Sequence, residues 1–413
     1  MIRDGLSQCN ECDLLQRIPA LPPGTAALCA RCGALLHRNQ PDSLELTLAL
    51  TIAGLVLFLV ANSFPFLSLE MQGQVRATTL ATGVVNLYAE GMWELAGVVL
   101  FTSILAPGLQ LCLLLFILIP LKIGRLPARF AIWFRHVRTL APWGMMDVFM
   151  LGILVSTVKL ASMADIVPGA GLYAFGVLIL VLAAAQASLD PDIVWSRLPV
   201  PERAIEESQP KTATLSCPVC HLVVPVRGTL SALGRHCCPR CGEIFHRRKP
   251  HSLQHTAALV MAALILYIPA NLMPIMQVTS LGRIQTDTIM SGALFLMKSG
   301  MWPLALVVFV ASIFVPLVKI LILILLLISV RWRWTWRPRE RTQLYRILEL
   351  VGRWSMVDIY VVTILVALVQ LGNLANVVAQ PGAIFFAAVV VLTRKLSDQV
   401  ALLALFGPRM KHA

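Results

Sequence analysis

A stretch of sixteen residues occurs twice in this chain and limits what the chain can become. Cys238 to Leu253 reads Cys-Pro-Arg-Cys-Gly-Glu-Ile-Phe-His-Arg-Arg-Lys-Pro-His-Ser-Leu, and Cys29 to Leu44 reads Cys-Ala-Arg-Cys-Gly-Ala-Leu-Leu-His-Arg-Asn-Gln-Pro-Asp-Ser-Leu. Cys32, Gly33, His37, Arg38, Pro41, Ser43 and Leu44 each recur at an offset of 209 residues. Each copy closes a cysteine module and opens a long apolar run. The basic unit is therefore a thiol-rich head tied directly to a membrane-embedded body.

The first head carries Cys9 and Cys12, then Cys29 and Cys32; the second carries Cys217 and Cys220, then Cys238 and Cys241. Two Cys-x-x-Cys knuckles within a short segment have the spacing of a zinc ribbon, because each knuckle offers two thiolates and the linker lets two knuckles meet around one tetrahedral ion. A ribbon of this size has too little apolar core to fold unaided, and structural zinc supplies on the order of 10–16 kcal/mol in finger peptides. Two structural Zn2+ ions are expected, with a folding role: four thiolates leave no open position for water or substrate. Gly33 after the last cysteine suits a left-handed turn. Thiol exchange through Cys-x-x-Cys is the rival reading, and it requires an exposed thiol of low pKa. Cys112 and Cys237 have no symmetry partner. His37 and His246, five residues after the last cysteine of each head, are expected at the lipid headgroup level, with a role as extra ligands as the alternative.

With 58% hydrophobic and 13% charged residues, and a mean hydropathy of +0.78, the remainder reads as a polytopic membrane protein. Met1 to Ala27 is polar where a secretory signal would be apolar. Apolar runs at Leu46 to Leu69, Gly91 to Ile119 (broken by Pro107), Trp143 to Met163 and Gly171 to Ala187 are read as four spans. Runs at Leu253 to Met276, Gly300 to Val330, Trp354 to Leu371 and Gly382 to Thr393 are read as four more. The expected organisation is ribbon 1 at 1–43, membrane body 1 at 44–189, a polar linker at 190–211, ribbon 2 at 212–252, and membrane body 2 with a tail at 253–413. The fold class is thus an α-helical polytopic membrane protein built by tandem parallel duplication, each half a four-cysteine zinc ribbon plus a four-helix body, with eight spans in total.

The net charge of +13 sits in short segments between apolar runs: Lys122, Arg125, Arg129, Arg135 and Arg138 in one half, and Arg331, Arg333, Arg337, Arg339, Arg341 and Arg346 in the other. This is the positive-inside pattern, and it places both ribbons, both basic loops and both termini in the cytoplasm. Trp332, Trp334 and Trp336 between those arginines read as an interfacial belt, so no nucleic-acid partner is expected.

Ionisable residues within spans are costly, at least about 2.5–3.5 kcal/mol each on insertion scales, and need a reason. Lys319 lies three residues after Pro316, and Asp358 five residues after Arg353; the first half offers Asp147 at the position matching Asp358, Lys159 twelve residues later, and Glu94. Gln110 replaces Lys319 in the first half, and Gln370 replaces Lys159 in the second. A Lys319/Asp358 pair is either a packing device or a proton-coupled gate. Neither a phosphate-binding loop nor a nucleophile triad is present, so an enzyme is not expected.

The two four-cysteine heads, Ala270-Asn271-Leu272-Met273-Pro274, Pro316-Leu317-Val318-Lys319 and Gly352-Arg353-Trp354-Ser355-Met356-Val357-Asp358 together resemble the paraquat-inducible protein A family over almost the whole chain. The resemblance implies a multi-pass protein of the Gram-negative inner membrane that works with a periplasmic MCE-family tunnel protein in phospholipid traffic between membranes, with bodies resembling tetraspanin-type four-helix units. It also implies that Lys319 and Asp358 fall at a polar network coupled to protons, and that Lys159 matches a lysine of some members. Ser162 and Asp165 stand where a carboxylate closer to Lys159 is expected. Two other readings are a non-transporting adaptor that anchors the MCE protein and a membrane thiol or quinone oxidoreductase.

Overall fold

The computed structural model describes residues 6–9, 14–19, 21–40, 42–71, 74–127, 129–160, 165–198, 214–217, 219–225, 236–245, 252–280, 283–298, 300, 302–332, 356–368 and 375–404 of the 413-residue chain. Helices dominate it. Helix α1 (Ser43–Ser63) opens the first body, and its 21 residues, at about 1.5 Å each, match the roughly 30 Å of a bilayer's hydrocarbon. It ends six residues before the apolar run does. Pro65 disfavours helical backbone at the preceding residue, Phe64 is extended (φ −101°, ψ 152°), and Leu67–Met71 becomes strand β5.

With the short strands of the first head numbered β1 (Leu6–Gln8), β2 (Leu15–Arg17), β3 (Ala26–Leu28) and β4 (Leu35–Arg38), and those of the second β8 (Thr214–Ser216), β9 (Val223–Pro225), β10 (His236–Cys237) and β11 (Ile244–Phe245), β5 is the centre of a three-stranded antiparallel sheet, with β6 (Gln74–Thr78) on one side and β7 (Asp165–Pro168) on the other. The second half has a sheet of the same order: β12 (Met276–Ser280) lies between β13 (Arg283–Asp287) and β14 (Ala375–Ala379). Both sheets sit at the end of the helices opposite the cysteine heads. Their return to the membrane is tight. The amides of Gly171 and Gly382 donate to the carbonyls of Pro65 and Pro274, each at 3.1 Å. A Cβ at Gly171 would lie 2.6 Å from the Phe64 oxygen, and one at Gly382 2.4 Å from the Pro274 oxygen.

After β6 comes α2 (Leu80–Ala89), started by a reciprocal Thr79/Thr82 cap. Then α3 (Trp93–Leu100), a π turn (Phe101–Leu105) and α4 (Ala106–Ile123) run as one continuous helix. Pro107 therefore does not break this span. A proline has no amide to donate and crowds the preceding turn, and a wider π turn immediately before it makes room without ending the helix. The second half repeats the device, with α11 (Trp302–Phe309), a π turn (Val310–Phe314) and α12 (Val315–Arg331), which holds Pro316 at its second position.

The basic stretch after Lys122 is not only a loop: Phe130–Leu140 forms the amphipathic helix α5, burying Phe130, Phe134 and Val137. Helix α6 (Met146–Leu160) and α7 (Ala170–Ser188) complete the first body. The stretch read as a linker starts with a folded segment, α8 (Pro191–Ser196), capped by the Asp190 carboxylate accepting from the Asp192 amide, with Val194 and Trp195 buried. Residues 199–211 lie outside the described residues. The second body has α9 (Ser252–Leu272), α10 (Ile289–Lys298), α11 and α12, α13 (Val357–Leu368) and α14 (Pro381–Ala404).

Among the described residues five helices are long and apolar enough to cross a membrane, at 43–63, 93–123, 170–188, 254–272 and 305–329; Met146–Val158, Ile359–Leu368 and Pro381–Thr393 are shorter apolar helices. Helices α1 and α7 pair along their length, as do α9 and α14. The two bodies meet where α6 packs on α13. There Tyr360 is fully buried, its ring 5.2 Å from that of Phe149 and its hydroxyl 2.8 Å from Thr102 Oγ1. Ile359 to Leu368 are buried without interruption, so α13 is the innermost of the described helices.

Candidate functional site

Each cysteine knuckle is built from backbone first. Beyond the second cysteine the chain must take a positive φ, at Gly33 (70°) and Gly242 (68°), and at His221 (54°) in the remaining described knuckle. That turn lets the next amides donate back to the first cysteine's carbonyl: Gly33 to Cys29 and Gly242 to Cys238 at 2.9 Å, His221 to Cys217 at 3.0 Å. The cysteine amides are satisfied in turn by Ala34, Leu222 and Glu243 carbonyls. Glycine adopts this conformation without penalty.

In the second head all four predicted ligands converge: Cys217, Cys220, Cys238 and Cys241 are buried, with sulfurs mutually within 4.8 Å. Cys217 and Cys241 Sγ are 3.5 Å apart, and Cys220 and Cys238 Sγ 3.4 Å. In the first head Cys9, Cys29 and Cys32 converge in the same way, with Cys9 and Cys32 Sγ at 3.5 Å; Cys12 lies outside the described residues. A tetrahedral ion with metal–sulfur bonds of about 2.3 Å places its sulfurs about 3.8 Å apart, so this donor set fits such an ion. Contact with Cys217 first, then with Cys238, pushes the Cys220 thiol up, while hydrogen bonds from Cys217 and Cys220 pull Cys238 down. A bound divalent ion would favour the thiolate form of all four. Residues Cys217, Cys220, Cys238 and Cys241 would hold such an ion, and it would supply folding free energy.

The second head is seated on the first body, not on its own. Arg135 and Arg138 lie three apart on α5, hence on one face. Arg135 Nη1 is 2.6 Å from Glu243 Oε2, two residues past Cys241, and Arg138 Nη1 donates to the Val219 carbonyl inside the Cys217–Cys220 knuckle at 2.8 Å. Between them the four cysteines share one cluster with Leu114, Ile117, Leu118, Phe134, Val194 and Trp195, and the Phe134 and Trp195 rings meet edge to face at 5.0 Å. Burial lowers the pKa of Arg138, an effect opposed by Asp192 and by Cys220 and Cys217. The first head reaches the same platform: His37 Nδ1 contacts the Asp192 carboxylate. His37 thus joins head 1 to α8; His246 lies outside the described residues. These docking residues were not legible as such in the sequence, though the i, i+3 arginines beside Phe134 and Val137 carry the amphipathic signal.

The intramembrane candidates fall in different places. Lys319 is 4% exposed, one turn into α12, and Gln110, its counterpart, is 2% exposed in α4. The π turn preceding Lys319 packs against α13, the helix that holds Asp358 in its first turn; the Asp358 side chain is outside the described residues. Asp147 is exposed in the first turn of α6. Lys159 lies in the last turn of that helix, about 18 Å further along its axis, and its side chain is outside the described residues. Asp147 and Lys159 are thus not brought together.

A family model described as "Paraquat-inducible protein A" matches residues 44–199 and again 253–405. This chain belongs to the paraquat-inducible protein A family. Both matches of the family model begin where a cysteine head ends and cover the helical bodies. "Intermembrane transport protein PqiA" of Escherichia coli K12 is 32% identical over 392 residues, 93% of this chain and 91% of that protein. "Lipophilic envelope-spanning tunnel protein A" of the same organism is 29% identical over 391 residues, 95% and 88% of the two chains. "Probable intermembrane transport protein" of Haemophilus influenzae is 29% identical over 394 residues, 95% and 93%. No solved structure matches. These relatives of the paraquat-inducible protein A family are named as transport proteins and not as enzymes, and with five helices among the described residues long and apolar enough to cross a bilayer the chain is a membrane protein.

Proposed function

We propose that this chain is the inner-membrane subunit of an intermembrane lipid transport system, one that loads phospholipid into, or receives it from, a periplasmic MCE-family tunnel protein. The observation that carries the reading is similarity over more than nine-tenths of the chain to proteins named for intermembrane transport. The proposed organisation is ribbon 1 at 1–43, body 1 at 44–189, a connection at 190–211, ribbon 2 at 212–252 and body 2 at 253–413. The two halves are read as a parallel duplication with four spans each, α13 and the first part of α14 being the shorter spans of the second half. Support comes from the double family match, the two sheets of identical strand order and the paired π turns before Pro107 and Pro316. Both heads and both termini are placed in the cytoplasm, by the positive charge of the flanking loops, and the metal in each head is read as zinc.

Within the bilayer, Lys319 and Asp358 are proposed as the pair that couples lipid movement to protonation. A lysine 4% exposed in an apolar helix needs compensation, and Asp358 lies on the helix packed against the π turn before Lys319. In the first half Asp147, which matches Asp358, and Lys159 are proposed as separate members of that polar network, with Gln110 in the place of Lys319. The test is mass spectrometry of lipids retained by protein purified in mild detergent, comparing the parent with Asp358→Ala and Lys319→Ala. Phospholipid enriched over bulk membrane in the parent and altered in both variants, at unchanged protein level, is the expected result. No enrichment in any of them removes direct lipid carriage and leaves a membrane anchor; loss of protein instead assigns the pair to packing.

A further inference from the structure

We propose that Arg138, a residue of the first membrane body, is an outer-shell partner of the metal held by the second head, so that metal in that head clasps the two halves together on their cytoplasmic side. Independently of any transport role, the inference rests on the geometry around Cys217 to Cys241. The Arg138 guanidinium donates to the Val219 carbonyl at 2.8 Å, within the turn that aims Cys217 and Cys220 at the ion. One turn earlier on the same face Arg135 reaches Glu243 at 2.6 Å, and the Glu243 carbonyl accepts the Cys238 amide at 2.9 Å. One helix thus grips both knuckles, each through a single arginine, and Phe134 fills the space between with Trp195.

The charge balance agrees with this. Four thiolates around a divalent ion carry a net charge of about −2, and partly buried anions need a cation or donors nearby. Arg138, on the exposed rim of the platform, brings a guanidinium to that turn, where its charge acts on Cys217 and Cys220. Outer-shell partners orient ligands, and their loss typically costs about 10–100-fold in metal affinity. Linkage makes the effect reciprocal: whatever the seat adds to metal binding, the metal adds to seating. Chelation then loosens α5 from the head without acting on the membrane helices directly.

Zinc release from the full-length protein in detergent to excess chromogenic chelator tests this, with Cys217→Ser assigning the kinetic phase of the second head. Arg138→Gln is expected to speed that phase about 10–100-fold and to leave the first-head phase unchanged. Arg138→Lys keeps the charge but not the fork and falls between. Hydrogen exchange supplies a second readout: in the parent, chelator raises exchange across residues 130–140 and not across 43–63. An unchanged second phase in Arg138→Gln, equal acceleration of both phases, or an α5 indifferent to chelator each overturns the clasp. Should Arg138→Gln fail to accumulate, Arg135→Gln and Arg138→Lys carry the same comparison.

Discussion

The seam between the two bodies can be opened by one methyl group. Gly152 lies on α6 against α13, and a Cβ there would sit 2.8 Å from Tyr360 Cβ and 3.5 Å from the Tyr360 carbonyl carbon. Carbon pairs are most favourable at about 3.5–4.0 Å, so Gly152→Ala forces the helices apart by roughly 1 Å, and with them the 2.8 Å contact of Tyr360 with Thr102. Because the obstacle is a Cβ fixed to the backbone, no side-chain rotation relieves it. Overpacking of this kind costs about 1–3 kcal/mol. Gly176→Ala is the control, since its new Cβ meets only Met150 Cε at an ordinary 3.7 Å. Unfolding the purified proteins by SDS titration in mixed micelles reads both changes. Gly152→Ala is expected to lose about 1–3 kcal/mol while Gly176→Ala stays near the parent, and equal midpoints for all three proteins refute the close seam.

Two further perturbations probe the platform on which the heads sit. Trp195→Ala removes a ring that is 1% exposed and meets Phe134 edge to face; a loss of about 3–5 kcal/mol is expected in the same titration, and a change below about 1 kcal/mol contradicts its place in the core. At Asp190 burial raises the carboxyl's pKa and hydrogen bonds from the Asp192 and Ile193 amides oppose the shift. A carboxyl raised in the folded state contributes most stability below the ordinary carboxylate range and loses it as pH rises through its folded value. Asp190→Asn keeps an acceptor for the cap without the charge, so at pH 7 it is expected to match or exceed the parent, an advantage that disappears under acid. Asp190→Ala loses about 1 kcal/mol of capping, and a pH-independent difference between Asn and Asp refutes the sign.

Local chemistry was readable in advance and tertiary docking was not. Cys-x-x-Cys fixes its own geometry within a few residues, so Cys217, Cys220, Cys238 and Cys241 converge as their spacing requires. Apolar length likewise located the long helices. Strands β5 and β12 escaped because Leu67 and Leu69 extend the apolar run of α1 without a change in composition, and only Pro65 marks the switch. The continuity of the helix through Pro107 was not legible because the π turn that accommodates the proline leaves no composition signal. Arg135 and Arg138 were read as positive-inside charges; a charge count does not distinguish an arginine facing headgroups from one facing Glu243 or Val219. Lys319 was located as a buried cation, whereas Asp147 and Lys159 lie on one helix at opposite ends, a separation that sequence adjacency conceals.

The seat of the second head is assembled from residues that precede Cys217 in the chain, most of them between 113 and 198, and all of them leave the ribosome before Cys217 does. A nascent chain can therefore finish that docking while α9 to α14 are still unmade. The second body then enters the bilayer from a head already moored beside the first, so its point of insertion is inherited from an earlier step and not searched for anew. A cut at 199–213 would sever the chain and still leave the second head belonging, in three dimensions, to the half that was translated before it.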